Sequence, residues 1–229
     1  MCKDTPGRTL KAALTLCLAV AVCLSAVPLG ALAEAVDNMA VIERAVRIEL
    51  ELDDDAPLTW DMLTSVQALT LADQGLTDIA SLSMCPNLEV LNISENALQD
   101  ISALMLMKKL RVLRARDNKI GDISALAGLD QLEEVDLSGN RVTDLSPLRG
   151  KTKLHVLALD RNPVTDIAPL GELPRLEKLS LGSTNPSDFS PLLQLGNLEM
   201  LNLDHTGIAD LSVLGNLAYV ESLSLEGND

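Results

Sequence analysis

The sequence predicts an α/β solenoid: a right-handed horseshoe with short parallel strands on its concave face, 3-10 or short helical segments on its convex face, and a helical N-terminal cap. Three observations lead there. Apolar residues make up 47 % of the 229-residue chain but aromatics only 1 %, and about one residue in five is leucine. The leucines recur at a fixed spacing of 22 over about eight copies. Between them, apolar and polar residues alternate over short stretches, as in a half-buried strand. Such self-similarity marks a repeat array in which each unit buries its apolar face against the next.

Residues 1–33 read as a secretory signal peptide. Lys3, Arg8 and Lys11 precede an apolar run from Ala12 to Val27; Pro28 and Gly30 then break any helix, and Ala31-Leu32-Ala33 supplies the small residues of a peptidase site. Cleavage is expected after Ala33, which places the protein outside the cell or at its surface. An uncleaved anchor is the alternative, since Ala12 to Ala33 is just long enough to span a bilayer. Cleavage removes Lys3, Arg8, Lys11 and Asp4 and moves the net charge from -15 to -17. A charge of that sign excludes a nucleic-acid partner and any polybasic membrane role beyond the signal. Cys2, Cys17 and Cys23 leave with the signal, so Cys85 has no partner for an internal disulfide and sits in an apolar slot of the repeat.

Residues 34–64 form the predicted cap. Val41, Ala45, Ile48 and Leu52 fall at helical spacing, with Asp37 or Asn38 placed to cap the start. Thr59 is expected to cap a second short helix, and Trp60 to cover the first coil. Asp53-Asp54-Asp55 reads as a solvated linker.

Residues 65–229 carry the repeats. Leu88, Leu110, Leu132, Leu154, Leu176 and Leu198 form one column, with Val66 before and Val220 after. Leu69, Leu91, Leu113, Val135, Leu157, Leu179, Leu201 and Leu223 form the next, and Leu71, Ile93, Ala115, Leu137, Leu159, Leu181, Leu203 and Leu225 the third. These side chains point inward from each strand. One copy cannot stand alone: a buried leucine is worth about 1.5–3 kcal/mol, whereas ordering one residue's backbone costs about 1–2 kcal/mol.

Two polar columns accompany them. The first is Gln74, Asn96, Asn118, Asn140, Asn162, Thr184, Thr206 and Asn228. A buried carboxamide here bonds the backbone of its own and adjacent coils as the chain leaves the strand; Thr184 and Thr206 keep a single donor, so the later coils should be looser. The second is Asp78, Asp100, Asp122, Asp144, Asp166, Asp188 and Asp210. Each carboxylate is expected to cap the segment that follows. A calcium ladder is the rival, but one acid per coil falls short of the six to eight oxygens calcium takes. No metal or cofactor is expected.

Together these residues spell L-x-x-L-x-L-x-x-N-x-L, the leucine-rich repeat signature. With the recurring N-x-[IVL]-x-D-[IL]-[SA]-[AP]-L, as in Asn140 to Leu148, and the helical start around Val41 to Arg47 and Leu58 to Leu63, residues 66–229 and their cap resemble the 22-residue repeats of bacterial internalins and related secreted or surface proteins. The resemblance implies the fold firmly and function loosely, because such repeats host many partners. It also implies aromatic anchors in the concavity, and this chain has none at its strand positions.

The concave face is expected to present Asn92, Arg114, Asp136, Ala158, Ser180, Asn202 and Ser224, flanked by Ser94, Arg116, Ser138, Asp160, Gly182, Asp204 and Glu226. Arg111, Arg114 and Arg116 form a basic spot beside Glu133, Glu134 and Asp136. It reads either as a site for an acidic group or as a patch neutralised by its neighbours. Candidate ligand-binding residues are therefore Arg111, Arg114, Arg116, Glu134, Asp136 and Asp160. Catalysis finds no support: His155 and His205 lie two coils apart at different strand offsets, and no nucleotide, zinc or nucleophile motif is present. The expected role is a non-enzymatic adhesion or recognition module for a protein or glycan. The alternative is a spacer or targeting arm of a longer wall-anchored protein or enzyme. The last copy stops at its Asn position, so further repeats, an anchor or another domain are expected beyond Asp229.

Overall fold

The computed structural model describes residues 29–228, with side chains from Asn38 onward. Most of the predicted signal peptide, residues 1–28, lies outside the described residues. Helix α1 (Leu29–Glu49) runs through Gly30, where a break was expected. A lone glycine costs a helix only about 1 kcal/mol.

Helix α1 seals the first coil along the edge of the predicted stripe: Val41, Ala45 and Leu52 are half-buried against the core, and Ile48 alone turns away. Asn38, Ile42 and Val46 are buried against the stack, whereas Ile48 is 67 % exposed. A tertiary contact fixes this rotation of the helix. Asn38 Nδ2 donates to Thr77 Oγ1 at 3.0 Å, and Asn38 Oδ1 accepts the Thr77 amide at 3.2 Å. Asn38 is thus a mid-helix clamp and not a helix cap. Helix α2 (Trp60–Ser65) is capped by Thr59, whose hydroxyl accepts the Met62 amide. Trp60 turns outward at 57 % exposure, and Leu58 and Leu63 cover the coil in its place. Asp53, Asp54 and Asp55 are exposed.

Eight three-residue strands follow: β1 (Ala68–Thr70), β2 (Val90–Asn92), β3 (Val112–Arg114), β4 (Glu134–Asp136), β5 (Val156–Ala158), β6 (Lys178–Ser180), β7 (Met200–Asn202) and β8 (Ser222–Ser224). They make one open parallel sheet in sequence order. The register never slips: Leu69 pairs Leu91, Leu91 pairs Leu113, and so on to Leu201 with Leu223. Short 3-10 segments, such as Ser124–Leu126 and Ser190–Gln194, line the convex side. Between sheet and segments runs a continuous core from Ile42 to Ile208, and Cys85 is fully buried in it. Burial pushes its thiol up to about 11, so it is a neutral core side chain.

The carboxamide column ties coil to coil. Asn140 Nδ2 donates to Leu137 O at 2.8 Å in its own coil and to Ala115 O at 2.9 Å in the coil before, while its Oδ1 accepts the Ile120 amide at 3.0 Å. Asn96, Asn118, Asn162 and Asn228 bond their own and the preceding coil in the same way. Thr184 reaches only Leu181 O in its own coil, and Thr206 reaches Leu203 O and, at 3.3 Å, Asn228 Oδ1 of the following coil; neither side chain bonds the coil before. By the column's spacing, an Asn at 184 would face the buried Val164 amide, which has no partner among the described residues. An Asn at 206 would face Pro186, which has no N–H to offer. Gln74 differs again, because its side chain bonds the carbonyls of Ala72 and Asp73.

Each Asp of the second column accepts the amide two residues on. Asp122 takes that of Ser124 at 2.8 Å and Asp188 that of Ser190 at 2.8 Å. Asp78, Asp100, Asp144, Asp166 and Asp210 make the same contact. In most coils the carboxylate sits one residue upstream of the formal N-cap, such as Ile123, and closes an Asx turn into the segment. These bonds hold the carboxyls of Asp122, Asp144, Asp188 and Asp210 below their ordinary value.

Candidate functional site: the concave sheet face

Outward residues of adjacent strands stand about 4.8 Å apart, close enough for side chains to bond from coil to coil. On the N-terminal half of the face they form ion pairs. Arg111 bridges Glu133 at 2.8 Å and Glu89 at 3.6 Å, and its hydrogen bonds hold the Glu133 carboxyl below its usual range. Arg114 meets Glu134 at 3.4 Å, and His155 lies 4.0 Å from the same glutamate. Arg116 meets Asp117 at 2.7 Å. The three predicted arginines are therefore brought together, each already holding a carboxylate. Asp136 accepts the Ser138 amide at 2.9 Å and forms no ion pair among the described residues.

Asp160 anchors the C-terminal half. Its Oδ1 accepts from Ser180 Oγ at 2.5 Å, the Gly182 amide at 2.9 Å and Asn202 Nδ2 at 3.1 Å, and its Oδ2 accepts from Ser138 Oγ at 3.3 Å. The Asn202 contact crosses two coils, and Gly182 lies between; a Cβ there would stand 2.6 Å from Asp160 Oδ1. Asp204 repeats the motif with Ser224 Oγ at 2.6 Å and the Glu226 amide at 2.7 Å. Hydroxyl, amide and carboxylate groups are thus fixed on a rigid sheet.

Comparison with known proteins fits this picture. Models for leucine-rich repeats match residues 85–107 and, as two copies, residues 108–150. No curated protein sequence matches the chain. Among solved structures, internalin C2 from Listeria monocytogenes is 31 % identical, with a TM-score of 0.79 over 82 % of this chain and 84 % of that one. The chain belongs to the internalin-like leucine-rich repeat proteins of bacteria. A second Listeria internalin, inlF, is 25 % identical with a TM-score of 0.58, covering 84 % of this chain and 69 % of that one. A Leptospira interrogans leucine-rich repeat protein shares the fold at 24 % identity and a TM-score of 0.68, over 73 % of this chain and 45 % of that one. Domains of this kind are typically protein-binding modules and generally non-enzymatic scaffolds.

A further column of this internalin-like solenoid carries no sequence signal. Asp73, Glu95, Asp117, Gly139, Arg161, Ser183, His205 and Gly227, at the same spacing of 22, are all left-handed, with φ between 53° and 69°. Each sits where the chain turns out of its strand, and the amides of the seven from Asp73 to His205 bond the next coil, as Asp117 N does to Ser138 O at 2.8 Å. No residue type marks the column, and a non-glycine residue there is strained by about 1–3 kcal/mol. The column also adds a fourth arginine to the face: Arg161 pairs with Asp117 at 2.8 Å across two coils. Gly139 lies beneath that pair, and a Cβ on it would stand 2.1 Å from Asp117 Oδ1. The two histidines do not meet: His205 lies against Gly227, and His155 near Glu134. Among the described residues, no three His, Cys, Asp or Glu side chains gather as a metal site, and no helix is long and apolar enough to cross a membrane.

Proposed function

We propose that this protein is an exported, non-enzymatic recognition module that binds a protein partner through the concave face of its sheet. The observation that carries this reading is the pre-organised polar surface from Arg111 to Asp204. Its side chains are fixed by coil-to-coil bonds, so little rotamer entropy remains to be lost on binding. A smooth sheet of this kind suits recognition over a broad surface better than chemistry in a deep pocket. A plant peptide hormone receptor of the same fold, at 19 % identity and a TM-score of 0.58 over 75 % of this chain and 33 % of that one, is described in complex with RGF2. The basic leader and the small residues at Ala31 and Ala33 support export.

A glycan ligand is the second reading. It is favoured by the Asp160, Ser180 and Asn202 cluster, whose oxygens and amide match sugar hydroxyls. Screening the chain from Glu34 onward against panels of extracellular protein domains and of glycans separates the two. A protein hit that weakens at least about tenfold in Arg114→Glu/Arg116→Glu supports the proposal. A hit indifferent to concave substitutions points to the spacer or targeting-arm alternative, with the binding surface elsewhere.

A further inference from the structure

The rim where the strands begin changes character along the stack. On the first coils its column reads Glu89, Arg111, Glu133 and His155, and Arg111 joins the two glutamates. Further along the same column reads Glu177, Glu199 and Glu221. Among the described residues none of the three carboxylates takes part in an ion pair or a side-chain hydrogen bond. Stacked at about 4.8 Å, they repel one another. A purely structural rim has no need of such an arrangement, and the first half of this same rim avoids it.

Beside them large apolar groups stand without cover, one in the turn before β8 and one on β7. Tyr219 is 67 % exposed and Met200 on β7 is 45 % exposed. Tyr219, Glu177, Glu199, Asn197 and Arg175 line one shallow concavity. Asn197 is held in place by its bond to Pro174 O at 2.8 Å. Arg175 and Lys178, the nearest cations in sequence, form no ion pair among the described residues. An aromatic ring sharing a concavity with two carboxylates is an environment that receives a lysine or arginine side chain, by cation–π contact and charge together.

We propose that this unpartnered part of the sheet face docks a cationic segment of a partner protein, with a lysine or arginine seated between Tyr219, Glu177 and Glu199 and an apolar neighbour on Met200. The inference rests on the reading of the concave face as a protein-binding surface and names the chemistry of the partner there. Charge complementarity selects that occupant, since an acidic segment would add to the repulsion among the three glutamates.

The test measures binding of a fluorescent decalysine peptide to the chain from Glu34 onward at low and physiological salt. Glu177→Gln/Glu199→Gln/Glu221→Gln is compared with Asp53→Asn/Asp54→Asn/Asp55→Asn, which removes the same charge from an exposed linker. The rim triple should lose at least about tenfold in affinity and the linker triple less than about threefold. Tyr219→Ser, which leaves the charge unchanged, should lose several-fold. Equal losses in the two triples, an unaffected Tyr219→Ser, or no peptide binding by the parent chain would overturn the proposal. The parent reading is tested separately: a protein hit sensitive to Arg114→Glu/Arg116→Glu but not to the rim triple keeps the concave reading and removes this one.

Discussion

Asn140→Ala is the sharpest test of how the coils are held together. The carboxamide is 7 % exposed and makes three short backbone bonds, to Leu137 O, to Ala115 O and from the Ile120 amide. Removing it does not affect the three equally. Leu137 O keeps the bond from Asn162 Nδ2 at 2.9 Å, and Ala115 O keeps that from Asn118 Nδ2 at 3.2 Å. The Ile120 amide has no other partner among the described residues and is left buried and unpaired. An orphaned buried donor costs about 1–3 kcal/mol and each lost bond at a still-paired carbonyl about 0.5–1.5. The sum is about 2–6 kcal/mol. Urea unfolding followed by circular dichroism, on the chain from Glu34 onward, reads it directly. A loss under about 0.5 kcal/mol, the scale of an ordinary surface substitution, would refute the assignment of the column as the inter-coil tie.

Four further outcomes follow from the same geometry. Thr184→Asn should stabilise by about 1–2 kcal/mol by giving the Val164 amide a partner, whereas Thr206→Asn should gain less because Pro186 has no N–H; equal gains in urea unfolding would contradict this. Gly139→Ala should cost more than Gly150→Ala. Both have positive φ, but only at 139 does the new Cβ meet a side chain, Asp117, and so break the Arg161 pair; equal melting temperatures would remove that distinction. The folded-state carboxyls of Asp122, Asp144, Asp188 and Asp210 lie below their ordinary 3.8, so their stabilisation is present above that pH and is lost as pH falls through the depressed values. The melting temperature should therefore fall steeply below about pH 4, and more shallowly in Asp144→Asn/Asp188→Asn; parallel curves would argue against a stabilising role for the turns. N-terminal sequencing of protein recovered from outside the source cell should begin at Glu34, and recovery only inside the cell with Met1 retained would contradict export.

Much of the fold was legible because each coil obeys one chemical rule at each buried position. Leucine at three inward positions, asparagine at the turn and aspartate before the 3-10 segment each answer a local need that few residue types meet. The left-handed column obeys a backbone rule that Asp, Glu, Arg, Ser and His all satisfy under strain, so no letter reveals it. Lys151 was hidden for the opposite reason. It stands in the column of Cys85, Met107, Leu129, Leu173 and Leu195, yet it is buried, its Nζ donating to Ala127 O and lying 3.5 Å from Asp130. A flexible stem fills the apolar slot while the ammonium reaches the end of the preceding 3-10 segment. The pattern places helix α1 with its face only partly right: Val41, Ala45 and Leu52 pack on the core but Ile42 and Val46 go deepest, because Asn38 and Thr77 are 39 positions apart and their bond is invisible to local periodicity. On the concave face Arg111, Arg114 and Arg116 are legible in the sequence, whereas Arg161 and some of the partners are not. Glu133 lies one coil from Arg111 and is readable from the repeat, whereas Asp117 and Arg161 meet across two coils only because Gly139 makes room.

Whether the concave sheet is the recognition surface can be decided by site-specific photo-crosslinking, which works with the partner still unidentified. A benzophenone amino acid is placed at Ala158 in the middle of the concave face and, separately, at Gln194 on the convex side. Each variant is then irradiated in the extracellular milieu of the source cells. A discrete protein adduct is expected from position 158, abolished by Arg114→Glu/Arg116→Glu, and none from position 194. An adduct from 194 alone, or equal and variant-insensitive adducts from both positions, would contradict recognition through the concave sheet.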